Sequence, residues 1–264
     1  MKRIKDEVYR RAKATYRRVV GAPPGLYDDF NAAHRELLAR AGVQAPVIFD
    51  VGAHVGESVE RFKTLFPRSN MHSFEADSEN FAKLRANTAA FSGLTLNNFA
   101  AGSAPGRQTF YRNVKSDTSS FNPVNPGSQW AATRSKQHNV SVEQFTAKQC
   151  EVELRTIDGY MADNGIARID ILKIDTQGFE DEVLKGCREA IAAGRIHVIE
   201  TELILGDSYT RSLTFSTIEN LLLPFGYKFC ALDRGGNMLT WPAMSLNLIY
   251  ARGDLMPRAG VNDG

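Results

Sequence analysis

The residues best suited to chemistry lie around a glycine turn near position 50. Residues 47–49 form a short apolar run that predicts a buried strand, and Asp50 ends it. Gly52 and Gly56 follow, and glycines let the backbone bend tightly and approach a ligand closely. The segment Ser58–Phe66 has helical apolar spacing, so its free N–H groups would point back at the turn. Such a helix start attracts anions, a carboxylate as readily as a phosphate.

An acidic residue one helical crossover later narrows the class of ligand. Glu75 ends the next predicted strand, about 20 residues past the turn, where an acid accepts hydrogen bonds from ribose hydroxyls. Two ligands remain, a dinucleotide and S-adenosylmethionine (SAM). The turn Gly52-x-x-x-Gly56 lacks the third glycine of a pyrophosphate-binding turn and is similar to the looser turn of SAM-dependent methyltransferases. The alternative is an ordinary strand, turn and helix that binds no ligand. The position of Glu75 at the end of the next predicted strand disfavours this alternative.

The composition is that of a soluble globular chain. It has 264 residues, 43% of them hydrophobic and 23% charged, which suits one α/β domain. A net charge of +2 gives no case for nucleic-acid binding. Cys150, Cys187 and Cys230 fit no zinc or redox spacing, so we expect reduced thiols in a cytoplasmic protein. No apolar run reaches the roughly 18 residues that a transmembrane helix needs.

The pattern along the chain predicts three regions. Residues 1–45 form a helical extension, whose basic amphipathic first helix either packs on the main domain or contacts an anionic membrane surface. Residues 46–252 alternate short apolar strands with helices, which predicts a doubly wound sheet. Residues 253–264 are expected to be a frayed tail. Within the main domain, residues 113–149 are polar and form either a segment that covers the substrate or a plain surface loop.

Six short sequence motifs follow one another along the chain. They are Asp50–Gly56, Phe74–Phe81, Asn98–Gly102, Arg155–Asp158, Ile169–Gly186 and Phe225–Tyr227. With these motifs the chain resembles the FkbM-type SAM-dependent methyltransferases, most specifically through Lys-Ile-Asp-x-x-Gly-x-Glu-x-x-Val-Leu-x-Gly at 173–186. The resemblance implies the class I methyltransferase fold, a Rossmann-like, seven-stranded, doubly wound sheet whose last strand is antiparallel. It also implies methyl transfer to a hydroxyl, often on a sugar or a glycosylated small molecule.

This resemblance implies that SAM binds at the glycine turn and the strands beside it, which we call the cofactor end of the site. Backbone at the turn should face the methionine portion of SAM, and Asp50 should favour its ammonium directly or through water, or else cap the turn. Glu75 should accept both ribose hydroxyls, since a carboxylate is a bidentate acceptor. The stretch 98–101 should line the adenine. The predicted cofactor-binding residues are Asp50, Gly52, Ala53, His54, Gly56, Glu75, Ala76, Asn98, Ala100 and Ala101.

The acceptor end is expected where two later strands end. Asp175 and Glu200 end neighbouring strands at the carboxyl edge, where open α/β sheets place their sites. A sugar hydroxyl is a poor nucleophile at neutral pH, so we expect a general base or a metal. Asp175 is the first candidate base, with Glu200 and His54 as further catalytic candidates. Alternatively Asp175, Glu200 and Glu202 hold Mg²⁺, or these acids only cap loops.

Two positions depart from the family pattern and keep a second function open. His54 stands where Asn is usual, and Gln177 stands where Glu is usual. Loss of that carboxylate removes one acid or base, so a SAM-binding partner or scaffold protein is the alternative to an O-methyltransferase. An NAD-dependent oxidoreductase is disfavoured by the glycine spacing. No pattern names the acceptor, which is expected to be a small molecule or a glycan.

Overall fold

The computed structural model describes residues 30–235 and 245–256. Two predictions lie outside those ranges: the basic first helix with its membrane alternative, and the end of the C-terminal tail. None of the helices in the described ranges combines the length and the apolarity that a membrane span requires.

The described residues form ten strands and nine α-helices. The strands are β1 (Val47–Val51), β2 (Asn70–Phe74), β3 (Leu94–Asn97), β4 (Ala100–Ala101), β5 (Gly106–Asn113), β6 (Thr146–Arg155), β7 (Ile169–Ile174), β8 (Ile196–Ile204), β9 (Tyr227–Gly235) and β10 (Ser245–Arg252). The helices are α1 (Phe30–Arg40), α2 (Glu57–Leu65), α3 (Ser78–Asn87), α4 (Gln129–Gln137), α5 (Val142–Phe145), α6 (Ile157–Asp163), α7 (Glu180–Lys185), α8 (Arg188–Ala192) and α9 (Phe215–Leu222). Short 3-10 helices cover Ser116–Thr118, Leu223–Phe225 and Gly253–Leu255.

Seven strands form one sheet in the order β3-β2-β1-β7-β8-β10-β9. β1 pairs in parallel with β2 and β7, and β7 pairs in parallel with β8. β10 is antiparallel to both of its neighbours, β8 and β9. The strand order reverses between β1 and β7, and open sheets leave a crevice at the strand ends there. The expected class I methyltransferase fold, with its antiparallel last strand, is therefore confirmed.

Two layers of helices cover the sheet, because central parallel strands must be buried on both faces. Ile48 and Phe49, adjacent in β1, are both fully buried and belong to different core clusters. Helices α1 to α3 cover the Ile48 side with residues such as Leu37 and Phe62, and α6 to α9 cover the Phe49 side. Burial of each such side chain contributes about 1.5–3 kcal/mol. This core fixes the strand ends on which the site is built.

A second sheet, of three strands in the order β4-β6-β5, carries the polar segment 113–149. β5 and β6 pair antiparallel, and the short β4 pairs in parallel with the end of β6. The segment, which we call the insertion, is more ordered than the sequence predicts. It contains a 3-10 helix, α4 and α5, and the side chains of Ser128 and Ser141 cap the two α-helices. Hydrogen bonds to the loop after β8, such as that from the Tyr209 hydroxyl to the Thr118 carbonyl at 2.7 Å, hold the insertion beside the main sheet.

The start of the C-terminal tail is ordered in the structure. The tail is not frayed from Gly253: Gly253–Leu255 forms a 3-10 helix, and the Leu255 side chain is buried on the α1 side of the core. Apolar burial is the reason for this order.

The cysteines are free thiols, as predicted, with Cys187 buried and Cys150 and Cys230 half-buried.

Candidate active site

A cavity of about 530 Å³, which we call the first cavity, opens at the carboxyl ends of β1, β2 and β7. Small-molecule sites have volumes of roughly 300–1,000 Å³, and the place is the crevice where the strand order reverses. Seven of the predicted cofactor residues line it: Gly52, Ala53, His54, Glu75, Ala76, Ala100 and Ala101. The predicted catalytic residues Asp175, Glu200 and His54 line it as well. Asp50, Gly56 and Asn98 lie outside its wall.

Gly52 brings the end of β1 against the end of β7. Its φ is +81°, and a Cβ built there would lie 1.9 Å from the carbonyl oxygen of Asp175. Only glycine fits such an approach without movement of the backbone. The N–H groups of Gly52 and Ala53 both donate to the carbonyl of Phe74 at 3.0 Å, which ties the turn to β2. Gly56, with φ +105°, begins α2 instead of lining the cavity.

Glu75 is held by a backbone N–H group on each of its oxygens. Oε2 accepts from the N–H of His54 and Oε1 from the N–H of Asp77, each at 2.8 Å. Burial raises the pKa of Glu75 to about 7, and the two N–H groups only partly oppose that rise. Each oxygen keeps a lone pair, so two neighbouring hydroxyls can donate to it. The ribose of SAM presents such a pair, and Glu75 fits the predicted role.

Asp50 lies below the first cavity. It is fully buried, with Oδ2 accepting from the Ser58 hydroxyl at 2.5 Å and Oδ1 facing Lys173 Nζ at 3.2 Å. Burial alone would lower the pKa of Lys173, but nearby carboxylates, Asp50 first, raise it above its ordinary value. Asp50 therefore anchors a buried lysine and the start of α2. The predicted contact with a methionine ammonium would have to be relayed by Ser58, which lines the cavity.

An apolar wall of the first cavity follows β3. Residues 99–101 line the cavity and are buried. The Phe99 ring packs edge-on against Phe74, with centroids 5.4 Å apart. Asn98 is turned away, and its amide donates to the carbonyl of Glu75 at 2.8 Å. An adenine ring would find apolar contact on this wall, while Asn98 positions the backbone of Glu75.

Glu200 lines the first cavity but is not a free carboxylate. Its Oε1 pairs with Arg61 Nη2 at 2.7 Å, and its Oε2 pairs with His34 Nε2 at 2.9 Å. Burial would raise the pKa of Glu200, but Arg61 and His34 lower it to about 2. The partners lie on α1 and α2, and no sequence pattern connects them to β8. This arrangement does not support the predicted role of Glu200 as a base.

The three acids predicted as an alternative Mg²⁺ site do not form one cluster: Asp175 and Glu202 share a hydrogen-bond donor, Gln177, whereas Glu200 has other partners. Glu200 is held by Arg61 and His34, and Glu202 lines a neighbouring cavity instead of this one. Across residues 30–235 and 245–256, no group of three or more His, Cys, Asp or Glu side chains is placed to hold a metal ion. The Mg²⁺ alternative therefore lacks a ligand set among these residues.

Gln177 joins two carboxylates at the edge of the first cavity. Its φ is +58°, and its Nε2 donates to Asp175 Oδ1 at 3.0 Å and to Glu202 Oε2 at 2.6 Å. The buried carboxylate of Glu180 fixes this turn, because it accepts from the N–H groups on both sides of Gln177. A glutamate here would put a third carboxylate beside the other two. Gln177 thus orders Asp175, whose side chain remains 37% exposed.

His54 connects the cofactor turn to the insertion. Its φ is +48°, and its Nε2 lies 2.9 Å from the Ser116 hydroxyl. Ser116 belongs to a group of insertion residues in the cavity wall, which also includes Asp117, Ser119 and Phe121. No motif marks these four residues in the sequence. Ser116 thus ties His54, one of the predicted catalytic candidates, to the insertion.

Comparison with known proteins places the chain among methyltransferases. A family model described as the methyltransferase FkbM domain matches residues 50–229, more than half of the chain. The 2-O-methyltransferase NoeI of Sinorhizobium fredii (strain NBRC 101917 / NGR234) is 26% identical over 197 residues, which cover 73% of this chain and 77% of that protein. The methyltransferase sdnD of Sordaria araneosa is 28% identical over 158 residues, which cover 54% and 61%. The solved structure of magnesium protoporphyrin IX methyltransferase (ChlM) from Synechocystis PCC 6803 shares 9% identity and a TM-score of 0.46 over 91% of each chain, and this likeness carries no further weight.

Proposed function

Because the chain belongs to the FkbM methyltransferase family, we propose that it transfers the methyl group of SAM to a hydroxyl of a sugar or a glycosylated small molecule. Family membership makes it a SAM-dependent methyltransferase, and the hydroxyl acceptor is the proposed part. The relative that is named a 2-O-methyltransferase supports an oxygen acceptor. One observation carries the proposal in this chain: a backbone-held carboxylate, Glu75, and a half-exposed acid, Asp175, line the same cavity.

The wall of the first cavity fits SAM in three ways. Glu75 offers two oxygens to ribose hydroxyls, and residues 99–101 offer apolar contact to adenine. The first turn of α2, including Ser58, lines the cavity, and a helix start favours an anion such as the methionine carboxylate. When bound, SAM supplies a methyl group on a positively charged sulfur, which is open to direct displacement. The chain itself must therefore orient the acceptor and remove a proton.

Orientation depends on backbone that is held under strain. His54 and Gln177 are non-glycine residues with positive φ, and such residues persist only where the surrounding structure over-determines them. Hydrogen bonds to Ser116 and to Asp175 fix the two side chains on the cavity wall. Holding a nucleophile in line can supply roughly 7–11 kcal/mol of barrier reduction at best. The strained turns are thus consistent with a positioning role.

Asp175 is the base that we propose. Gln177 holds Asp175 Oδ1, and Oδ2 lies 3.6 Å from Lys173 Nζ. The acceptor oxygen forms the new C–O bond, its proton passes to Asp175, and the electron pair of the broken C–S bond stays on sulfur. A positioned base of this kind contributes roughly 10²–10⁴-fold to rate. Mg²⁺ is left out of the proposal because Glu200, one of its predicted ligands, is engaged by Arg61 and His34.

Transfer from labelled SAM to a panel of neutral methyl glycosides tests the proposal. We expect label in the glycoside, and none in matched glycosides whose hydroxyls are all methylated beforehand. Parallel assays with Mg²⁺ and with EDTA decide whether a metal contributes, and loss of transfer in EDTA would restore the metal alternative. Transfer to amines or carboxylates alone, or binding of SAM without transfer to any hydroxylated acceptor, would contradict the proposal.

The two other functions drawn from the sequence are not adopted. Membership of a methyltransferase family overturns the NAD-dependent oxidoreductase. The non-catalytic SAM-binding scaffold was motivated by Gln177, which stands where the family has Glu. In the structure Gln177 orders Asp175, which still lines the cavity and can act as a base. The departure at position 177 therefore does not argue against catalysis.

A further inference from the structure

A second cavity, of about 210 Å³, adjoins the first. The two share Asp117 and Gln177 as lining residues, so they meet beside Asp175, the proposed base. Its wall comes from the insertion on one side and from β8, the loop that follows it and the start of β10 on the other. Its lining residues include Trp130, Arg134, Glu202, Ser208, Tyr209 and Ser245.

The volume of the second cavity limits what it can hold. Pockets for drug-sized ligands begin at roughly 300 Å³, so a cavity of about 210 Å³ is too small for an oligosaccharide. It is still several times the roughly 30 Å³ that one water molecule occupies in the liquid. One six-membered ring is of the right size, and the remainder of a larger acceptor would lie outside.

Trp130 gives the second cavity an aromatic wall of fixed orientation. Its ring packs against Tyr209, with centroids 5.8 Å apart, and against Phe145, with centroids 5.7 Å apart. Both partner side chains are buried, so these contacts fix the orientation of the indole that lines the cavity. A pyranose ring has a face of C–H groups that packs on such a surface, while its hydroxyls need polar partners.

The polar groups of the second cavity suit hydroxyls. Glu202 accepts from the Gln177 amide at 2.6 Å, and burial, with nearby carboxylates, raises the pKa of Glu202 well above its usual range. A carboxyl group that holds its proton can donate as well as accept. Ser208 and Ser245 add hydroxyl groups to the same wall. Sugar hydroxyls, which are both donors and acceptors, match this set.

The charges in and around this wall bear on the charge of the ligand. Lys115 pairs with Asp117 at 2.5 Å, and the Arg134 guanidinium lies over the Trp130 ring, 5.9 Å from its centroid. An acidic sugar would bring its carboxylate towards Asp175 and Glu180, the same carboxylates whose charges raise the pKa of Glu202. The described wall therefore favours a neutral ring.

We propose that the second cavity binds one neutral pyranose ring of the acceptor against Trp130 and presents a ring hydroxyl to Asp175 at the junction marked by Gln177. This inference rests on the proposed function and adds the site, the size and the charge of the acceptor ring. Gln177 becomes a positioning residue, because it orders Asp175 on one side of the junction and Glu202 on the other.

Acceptor kinetics of Trp130 variants test the inference. At saturating SAM, Trp130→Ala should raise the KM for neutral methyl glycosides about tenfold, since it removes the stacking surface. Trp130→Phe should recover most of the affinity. Thr133→Ala, an exposed position on the same helix that lines neither cavity, should change nothing. The Kd for SAM should stay at the wild-type value in all three variants, which checks that the fold is intact.

A second measurement does not depend on turnover. Saturation-transfer NMR of the wild-type protein with a neutral methyl glycoside should show the sugar in contact with the protein, and methyl glucuronide should compete poorly. If methyl transfer proceeds while Trp130→Ala leaves the KM unchanged, or if the glucuronide is the better acceptor, this inference is wrong and the proposed function stands. If the wild-type protein methylates no hydroxylated acceptor, the proposed function itself fails.

Discussion

The two ends of the first cavity are built in different ways. At the cofactor end, Gly52 and Glu75 are fixed by backbone hydrogen bonds within residues 50–77. At the acceptor end, Asp175 is placed through side-chain hydrogen bonds from Gln177, which also reaches Glu202 on β8. Gly52 and Glu75 are therefore fixed within one short stretch of chain, whereas the acceptor end also depends on residues that are distant in sequence.

Two buried glutamates that line this cavity, Glu75 and Glu200, have shifted pKa values of opposite direction. Backbone N–H groups hold Glu75, and burial raises its pKa to about 7. Burial would raise the pKa of Glu200 too, but Arg61 and His34 lower it to about 2. Glu75 is thus suited to bind hydroxyl donors, and Glu200 is suited to tie α1 and α2 to the sheet. Equal burial has opposite consequences because the neighbours differ.

The largest effect is expected at the acceptor end, from Asp175→Asn. Loss of the base should lower kcat by roughly 10²–10⁴-fold, with the Kd for SAM unchanged. Stopped assays with labelled SAM measure the first quantity and calorimetry the second. Asp163→Asn, an exposed aspartate at the end of α6, is the matched control and should keep wild-type turnover. Full activity in Asp175→Asn would remove this residue from the chemistry.

Glu200→Gln should reduce stability and leave the chemistry largely intact. Breaking a buried ion pair by removing one partner costs about 3 kcal/mol, measured as the free energy of unfolding in denaturant. Glu36→Gln, which breaks the exposed pair with Arg40, should cost at most about 1 kcal/mol. Abolished transfer with unchanged stability would return Glu200 to the catalytic residues.

The pH dependence of stability sharpens that test. The pKa of Glu200 in the folded protein is about 2, below the ordinary value of 4.5. The interactions of its carboxylate, those with Arg61 first, therefore contribute stability that is fully present above pH 4.5 and is lost as the pH falls towards about 2. Glu200→Gln should lack this part of the acid-induced loss in the free energy of unfolding. An acid dependence identical to that of the wild type would contradict the ion-pair assignment.

Gly52→Ala tests the close approach of β1 and β7. An added Cβ would lie 1.9 Å from the Asp175 carbonyl, so we expect a loss in unfolding free energy of about 2 kcal/mol or more. Gly42→Ala is the control: its φ is also positive, at +67°, but nothing lies within 4 Å of the added Cβ. Strain alone should cost that variant about 1 kcal/mol. Equal losses would mean that Gly52 is needed only for its φ.

Glu75→Ala should weaken SAM binding by at least about tenfold, or 1.4 kcal/mol, when measured by calorimetry. Because hydroxyl donors favour the charged carboxylate, a bound proton must leave Glu75 when SAM binds. With a pKa of about 7 in the free protein, affinity should fall as the pH drops below that value and level off above it. Glu189→Ala, an exposed glutamate on α8, should behave as the wild type. A flat pH profile would count against the ribose assignment.

The central sheet and the cofactor end could be predicted because their signals are local. The apolar pattern of residues 169–175 predicts a core strand that ends in an acid, and the structure has β7 at Ile169–Ile174. The glycine turn and Glu75 lie one crossover apart, and their hydrogen bonds stay within that stretch. The helices of the insertion also had a local signal, the capping box of Ser141 and Gln144, which the polar composition concealed.

Several side-chain pairings around the site could not be predicted, because they join distant residues. Arg61 and Glu200 are 139 positions apart, and no periodicity relates them. Asp50 ends its strand in the sequence, but its buried pairing with Lys173 appears only when β1 and β7 lie side by side. The second cavity requires Trp130 from the insertion to meet Tyr209 from the loop after β8. Tertiary packing alone creates these neighbours.

A crystal structure of the protein with S-adenosylhomocysteine tests the central claim most directly. The account predicts the ligand in the first cavity, with both ribose hydroxyls donating to Glu75, the adenine against residues 99–101 and the sulfur facing the junction at Gln177. A ligand bound elsewhere, or one seated in the cavity with Glu75 turned away from the ribose, would contradict it.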